Sequence, residues 1–194
     1  MLESRESEKK RQRLLEIIRE KSYREGDFTL ASGKKSSFYL DLKETTLSQE
    51  GMLLVGALAC DWLKKQKWQV HAVGGMTLGA DPIAVAVAFE AGKRGMPLQA
   101  FIVRKEPKGH GTARWLEGTK TFPENAPVLV VEDVVTTGGS SLKAIQAIRE
   151  AGFRVQGLLT VVDREEGGAS AFQQAGVDFF SLCRLHEVRG KTAG

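Results

Sequence analysis

The chain has 194 residues, 42% hydrophobic and 27% charged, with 28 Lys and Arg against 24 Asp and Glu for a net charge of +4. That length fits one domain with a substantial core, and no apolar run approaches the roughly 18 residues that a membrane-spanning helix needs, so no membrane partner is expected. The N-terminus "MLESRESEKKRQRLLEII" has no apolar stretch followed by small residues, so it does not read as a secretory signal, and a cytoplasmic location is expected.

In chain order, residues 7 to 23 carry Leu14, Leu15, Ile17 and Ile18 at helical spacing, which predicts a first amphipathic helix. "DFTLASGKKSSFYLDLK" joins short strand-like pieces through a Ser/Gly/Lys turn and reads as an appended hairpin or cap, within a small N-terminal hood of about residues 1–45. Thr46 or Ser48 can cap a second helix that runs to about Lys65. A strand "QVHAVGG", a helix "ADPIAVAVAFEAGKRG" and a strand "PLQAFIV" follow. Val128 to Val131 read as a buried strand ending at Glu132 and Asp133, and the residues from Leu142 to Gly152 as a helix with a glycine stop. "FRVQGLLTVVD", "GASAFQQAG" and "VDFFSLC" then give strand, helix and strand. This alternation predicts an α/β fold with a central, mostly parallel sheet flanked by helices. Cys60 and Cys183 lie in apolar surroundings without metal-type spacing and read as buried thiols, and His71 and His186 as structural residues.

Residues 104 to 126 break the rhythm. The segment is long, hydrophilic and rich in glycine and proline, and Arg104, Lys105, Lys108 and His110 fall within seven positions. It reads either as a solvated insertion or as a mobile lid, over about 104–120, that brings positive charge onto an anion. The basic runs at 9 to 13 and 64 to 67 flank amphipathic helices and read as solvated faces.

The stretch "VLVVEDVVTTGGSS" carries the chemistry. Small hydroxyl residues and glycines leading into a helix let backbone N–H groups, hydroxyls and the helix N-terminus all address a phosphate. No G-x-x-x-x-G-K-[ST] or G-x-G-x-x-G is present, which argues against nucleotide hydrolysis and dinucleotide binding. Two adjacent carboxylates would repel that phosphate, so their use must lie in accepting hydrogen bonds, and a ribose diol one sugar length from its 5′-phosphate suits them.

This stretch resembles the phosphoribosyl-pyrophosphate motif of the type I phosphoribosyltransferases. The lid form "RKEPKGHG", together with "FTLASGKKSSFYLD", "GGMTLGADPIA" and "VVDREEGG", is similar to segments of the orotate phosphoribosyltransferases, and the likeness runs from about residue 10 to 183. The resemblance implies the type I phosphoribosyltransferase fold and transfer of ribose 5-phosphate from phosphoribosyl pyrophosphate to orotate, with Mg²⁺ carried by the donor and no direct protein ligand. It implies that Glu132 and Asp133 hold the ribose hydroxyls while Val134, Val135, Thr136, Thr137, Gly138, Gly139 and Ser140 surround the 5′-phosphate. Arg104, Lys105, Lys108 and His110 would meet the pyrophosphate, with Lys108, His110 and Asp133 catalytic. Tyr39, Leu40, Thr136 and Arg164 would contact orotate. It further implies a homodimer in which each lid acts on the neighbouring site. Some members have Lys at the positions of Ala31 and Leu78 and Asp at that of Glu132. A purine phosphoribosyltransferase shares the donor motif but not the lid or Arg164. A non-catalytic donor-sensing regulator would need a nucleic-acid module, and no helix-turn-helix or RNP motif occurs, so no nucleic-acid partner is expected.

Overall fold

The computed structural model describes residues 5–29, 33, 35–107 and 115–190. A first helix, α1 (Arg5–Ile17), widens into a π-helical turn over Ile18–Ser22 and passes directly into an antiparallel hairpin of β1 (Tyr23–Thr29) and β2 (Lys35–Leu40). The single helix expected over 7 to 23 is therefore two pieces, although Leu14, Leu15, Ile17 and Ile18 are all buried as their spacing predicts. A short turn of helix, α2 (Lys43–Thr46), leads to α3 (Gln49–Gln66). Of the two candidate caps, Ser48 does the work: its Oγ accepts from the Gly51 N–H at 3.2 Å, while Thr46 belongs to α2.

The remaining elements are β3 (Ala72–Met76), α4 (Ala80–Lys93), β4 (Gln99–Val103), β5 (Leu116–Glu117), β6 (Pro127–Val135), α5 (Gly139–Glu150), β7 (Arg154–Asp163), α6 (Gly168–Gln174), β8 (Phe179–Arg184) and α7 (Leu185–Val188). Six strands form one sheet in the order β5-β4-β3-β6-β7-β8, parallel throughout except that β5 runs antiparallel to β4. Along β6 the β-branched run buries alternate residues on opposite faces. Leu129 and Val131 join α1, α3 and α4 in one core; Val128 and Val130 join α5 and Phe172 in the other. Burial raises the pKa of the Cys60 thiol to about 11 and that of Cys183 to about 12, which keeps both as inert core thiols. Among the described residues, no helix is long and apolar enough to cross a membrane.

Two expectations need correction. The segment 104–126 is not one structureless loop, because Leu116 and Glu117 return to pair with Val103 and Ile102, and the Arg104 N–H donates to the Trp115 carbonyl at 2.8 Å. Strand β6 also continues past Val131. Its β3 neighbour stops at the Gly74–Val130 pair, whereas β7 keeps pairing as far as Val135 and Asp163. Glu132 and Asp133 therefore lie inside a strand, where one flank has already opened.

That open flank is the topological switch point. From β3 the chain adds β4 on one side, then returns to lay β6 on the other, and α4 and α5 cover opposite faces. The turns that follow β3 and β6 consequently diverge around a crevice, the usual ligand position in open α/β sheets.

Candidate active site

Glu132 opens the site. It is 7% exposed, and the Ser141 hydroxyl donates to its Oε2 at 2.9 Å. Burial pushes its carboxyl up to about 8; the adjacent Asp133 charge adds to the rise, and the Ser141 bond partly offsets it. Asp133 alternates to the other side of β6, toward the crevice. Its Oδ1 accepts from the Val134 N–H at 2.8 Å, and a Cβ placed on Gly79, at the start of α4, would lie 2.6 Å from it. The Thr77–Leu78 peptide in that turn is cis, and Leu78 is exposed.

After β6, Thr136 and Thr137 lead to Gly138, whose φ of +84° is the left-handed conformation that favours glycine. Helix α5 begins at Gly139, three residues before the expected Leu142, so the glycine and serines "GSS" form its first turn rather than a loop. No side chain caps that turn. Its leading N–H groups, with the positive end of the helix dipole, are left to address whatever enters. Residues Glu132 to Ser141, with Lys143, surround a cavity of about 420 Å³.

The residues expected on the base side approach from two elements. The Arg164 N–H donates to the Val135 carbonyl at 2.9 Å, which fixes the turn after β7 to the one after β6. The Arg164 guanidinium pairs with Glu166 at 2.6 Å and stands 4.8 Å from the centre of the Phe38 ring, on the hairpin. Beside Phe38, Tyr39 is turned outward and Leu40 is half-buried. Arg104 pairs with Glu117 at 3.2 Å on its own hairpin neck; neither it nor the exposed Lys105 lines the cavity. Lys108, His110 and Ala31 lie outside the described residues.

Several contributors have no local signal in the sequence. Lys43 bonds to Asp41 at 2.6 Å, and that bond, with smaller help from the Asp133 charge, raises its pKa. A cation from α2 thus lies within electrostatic reach of Asp133. Lys143 adds another from α5. Ser141 could have been found, because it extends the hydroxyl string that begins at Thr136.

Comparisons with known proteins bear on the family and the fold. No family model matches the chain. The orotate phosphoribosyltransferase of Thermosynechococcus vestitus is 47% identical over 178 residues, covering 92% of each chain. The chain belongs to the orotate phosphoribosyltransferases. Within this family of orotate phosphoribosyltransferases, the crystal structure of the Mycobacterium tuberculosis enzyme with Fe(III) dicitrate superposes with a TM-score of 0.81 at 39% identity, covering 92% of this chain and 98% of that one. A second crystal structure of that enzyme, in complex with 5-phospho-α-D-ribosyl 1-diphosphate, has a TM-score of 0.78 at 36% identity over 93% of this chain and 99% of its own. The type I phosphoribosyltransferase fold expected from the sequence is therefore the fold observed.

Proposed function

We propose that the chain transfers ribose 5-phosphate from phosphoribosyl pyrophosphate to N1 of orotate, giving orotidine 5′-monophosphate and pyrophosphate. The observation that carries this reading is the acidic pair Glu132 and Asp133 in the same cavity as the uncapped first turn of α5. A sugar diol donates hydrogen bonds to the acids while its 5′-phosphate lies among Val134 to Ser140, and few other ligands satisfy both halves. Breaking the bond at C1 leaves positive charge on the sugar and a highly charged leaving group. Asp133 stabilises the first, and Arg104, Lys105, Lys108 and His110 the second once the lid excludes water. Arg164, Thr136 and the backbone at Tyr39 and Leu40 hold orotate, whose own negative charge makes a strong general base unnecessary. Mg²⁺ enters as part of the donor, and the carboxylate oxygens lining the cavity are the hard donors that tolerate such a complex.

The same reading makes the working unit a homodimer in which each lid closes over its neighbour's site. Leu78, Val85 and Phe89 stand 60% to 66% exposed along one stripe, and Leu53 is 52% exposed on α3. The two helices cross closely, since a Cβ on Gly56 would lie 2.7 Å from the Ala86 carbonyl. An apolar stripe of this kind is suited to a second copy of the chain. Mixing inactive Lys108→Ala and Arg164→Ala chains should then restore about a quarter of native activity through hybrid dimers. No recovery after confirmed exchange would assign each lid to its own subunit.

The activity itself is tested by offering orotate, uracil, adenine and hypoxanthine in turn with phosphoribosyl pyrophosphate and Mg²⁺ and following pyrophosphate release. Release with orotate alone is expected. Release with a purine alone would make the chain a purine phosphoribosyltransferase, and none with any base would favour a donor-sensing role.

A further inference from the structure

The turn that carries Arg164 is held from behind by contacts that the reaction does not by itself require. Glu165 has φ +61°, a left-handed conformation that side chains with a Cβ rarely adopt. Its N–H donates to Asp163 Oδ1 at 2.8 Å. Its carboxylate lies against His186, whose ring Nδ1 is 3.0 and 2.9 Å from the two oxygens and whose backbone N–H donates to Oε2 at 3.2 Å. A carboxylate only accepts, so Nδ1 carries the hydrogen. One carboxylate is thus gripped by the side chain and the backbone of a single residue.

The element that presents His186 is itself pinned. Arg11 of α1 pairs with Glu187, and the Arg184 N–H donates to Glu187 Oε2 at 2.8 Å. Arg19 donates to the carbonyls of Val188 and Glu187 at 2.8 and 2.6 Å. Just past α7, the Arg189 guanidinium stands 5.4 Å from the centre of the Phe38 ring, the same ring that supports Arg164. The short α7 therefore holds the turn bearing Arg164 through His186, and Arg189, the residue after it, stands over the ring beneath the Arg164 guanidinium.

We propose that His186 is a positioning residue for the base side of the site: by holding Glu165 in its left-handed conformation, it fixes where Arg164 is presented to the anionic pyrimidine. The inference rests on the reading of Arg164 as an orotate contact. A half-exposed acid–imidazole pair contributes little to global stability. Displacing a substrate-binding group, in contrast, acts directly on binding and alignment. The effect should therefore appear in orotate kinetics rather than in unfolding.

Steady-state kinetics with orotate and the donor varied separately test this, alongside thermal unfolding. His186→Ala should raise the orotate KM about tenfold and leave the donor KM within about twofold, with Tm lowered by no more than about 3 °C. His186→Asn, whose amide nitrogen can replace Nδ1, should recover most of the loss. Glu165→Gly accepts the backbone angle but removes the carboxylate, so it should match His186→Ala, and the double variant should be no worse than either. An unchanged orotate KM in His186→Ala, no rescue by Asn, or an equal rise in both KM values with a large fall in Tm would overturn the proposal. Arg164→Ala separates the two levels. If it alone raises the orotate KM, the His186 clamp is wrong and the placement of Arg164 stands; if it leaves that KM unchanged, the placement fails and the clamp with it.

Discussion

The turns after β6 and β7 use one backbone device for opposite ends. Each ends on a tandem glycine, with the first in the left-handed region, Gly138 at φ +84° and Gly167 at +100°, and the second opening a helix. After β6 the residues between strand and helix are hydroxyls and the cavity beside them is open. After β7 they are charged and already partnered: Arg164 with Glu166, Glu165 with His186, and the Gly168 N–H with the Thr136 carbonyl. One turn thus leaves its leading donors without a side-chain cap, whereas the other engages its charged side chains with one another and with His186 around a single arginine. A glycine pair at a strand-to-helix turn fixes the path of the chain; the neighbouring side chains decide whether that path becomes a cradle or a strut.

The comparison is broken most severely at its shared glycines. Gly138→Ala forces a Cβ into the left-handed region and to 2.8 Å from the Phe172 ring, which is fully buried. Backbone strain of about 1 to 2 kcal/mol joins an overpacking cost of about 1 to 3 kcal/mol, and the turn after β6 moves. Gly167→Ala meets nothing within 4 Å, so it should lose the backbone part alone. Urea unfolding of both variants measures the gap. Equal losses would show that Phe172 yields without cost.

Asp133→Asn tests what the cradle's acids are for. The amide keeps the shape beside Gly79 and removes the charge that, in the proposed reaction, accepts from the diol and balances the developing positive sugar. Turnover should fall about 10²-fold, or about 2.7 kcal/mol in the barrier, while the donor KM changes much less. A fall in donor affinity as large as that in turnover would make Asp133 a binding residue only.

The cradle was the more legible of the two turns in the sequence, because its chemistry is consecutive. An apolar run, two acids, hydroxyls and glycines follow one another from Val128 to Ser141, and a buried parallel strand forces them onto one edge. The helix start was misplaced by three residues for a physical reason: Gly139, Ser140 and Ser141 have poor helix propensity and are helical here through tertiary packing. The strut is different. Arg164 stands out in "VVDREEGG", but its support comes from His186, 21 positions after Glu165, and from Phe38 on a separate hairpin. Lys43 on α2 likewise feels the Asp133 charge from a separate element. Strand β5 has only two residues, too few to show a period, so the pairing that closes the 104–126 segment could not be read.

The smallest expected effect concerns charge in the cradle. The Glu132 carboxyl is raised from 4.5 to about 8, chiefly by burial. Below the unfolded value the group is protonated in both states. Between the two values the unfolded chain has released the proton and the folded chain retains it, so stability falls as pH rises and the loss is complete once pH passes the folded value. The slope in that window is at most about 1.4 kcal/mol per pH unit. Glu132→Gln keeps an oxygen for Ser141 and removes the titration, so from pH 6 to pH 7 the native chain should lose about 1 kcal/mol relative to the variant. Urea unfolding at the two pH values, without ligands, reads this difference directly. Parallel profiles would mean that Glu132 is already ionised in the ligand-free cavity, and that the site tolerates both charges before any substrate arrives.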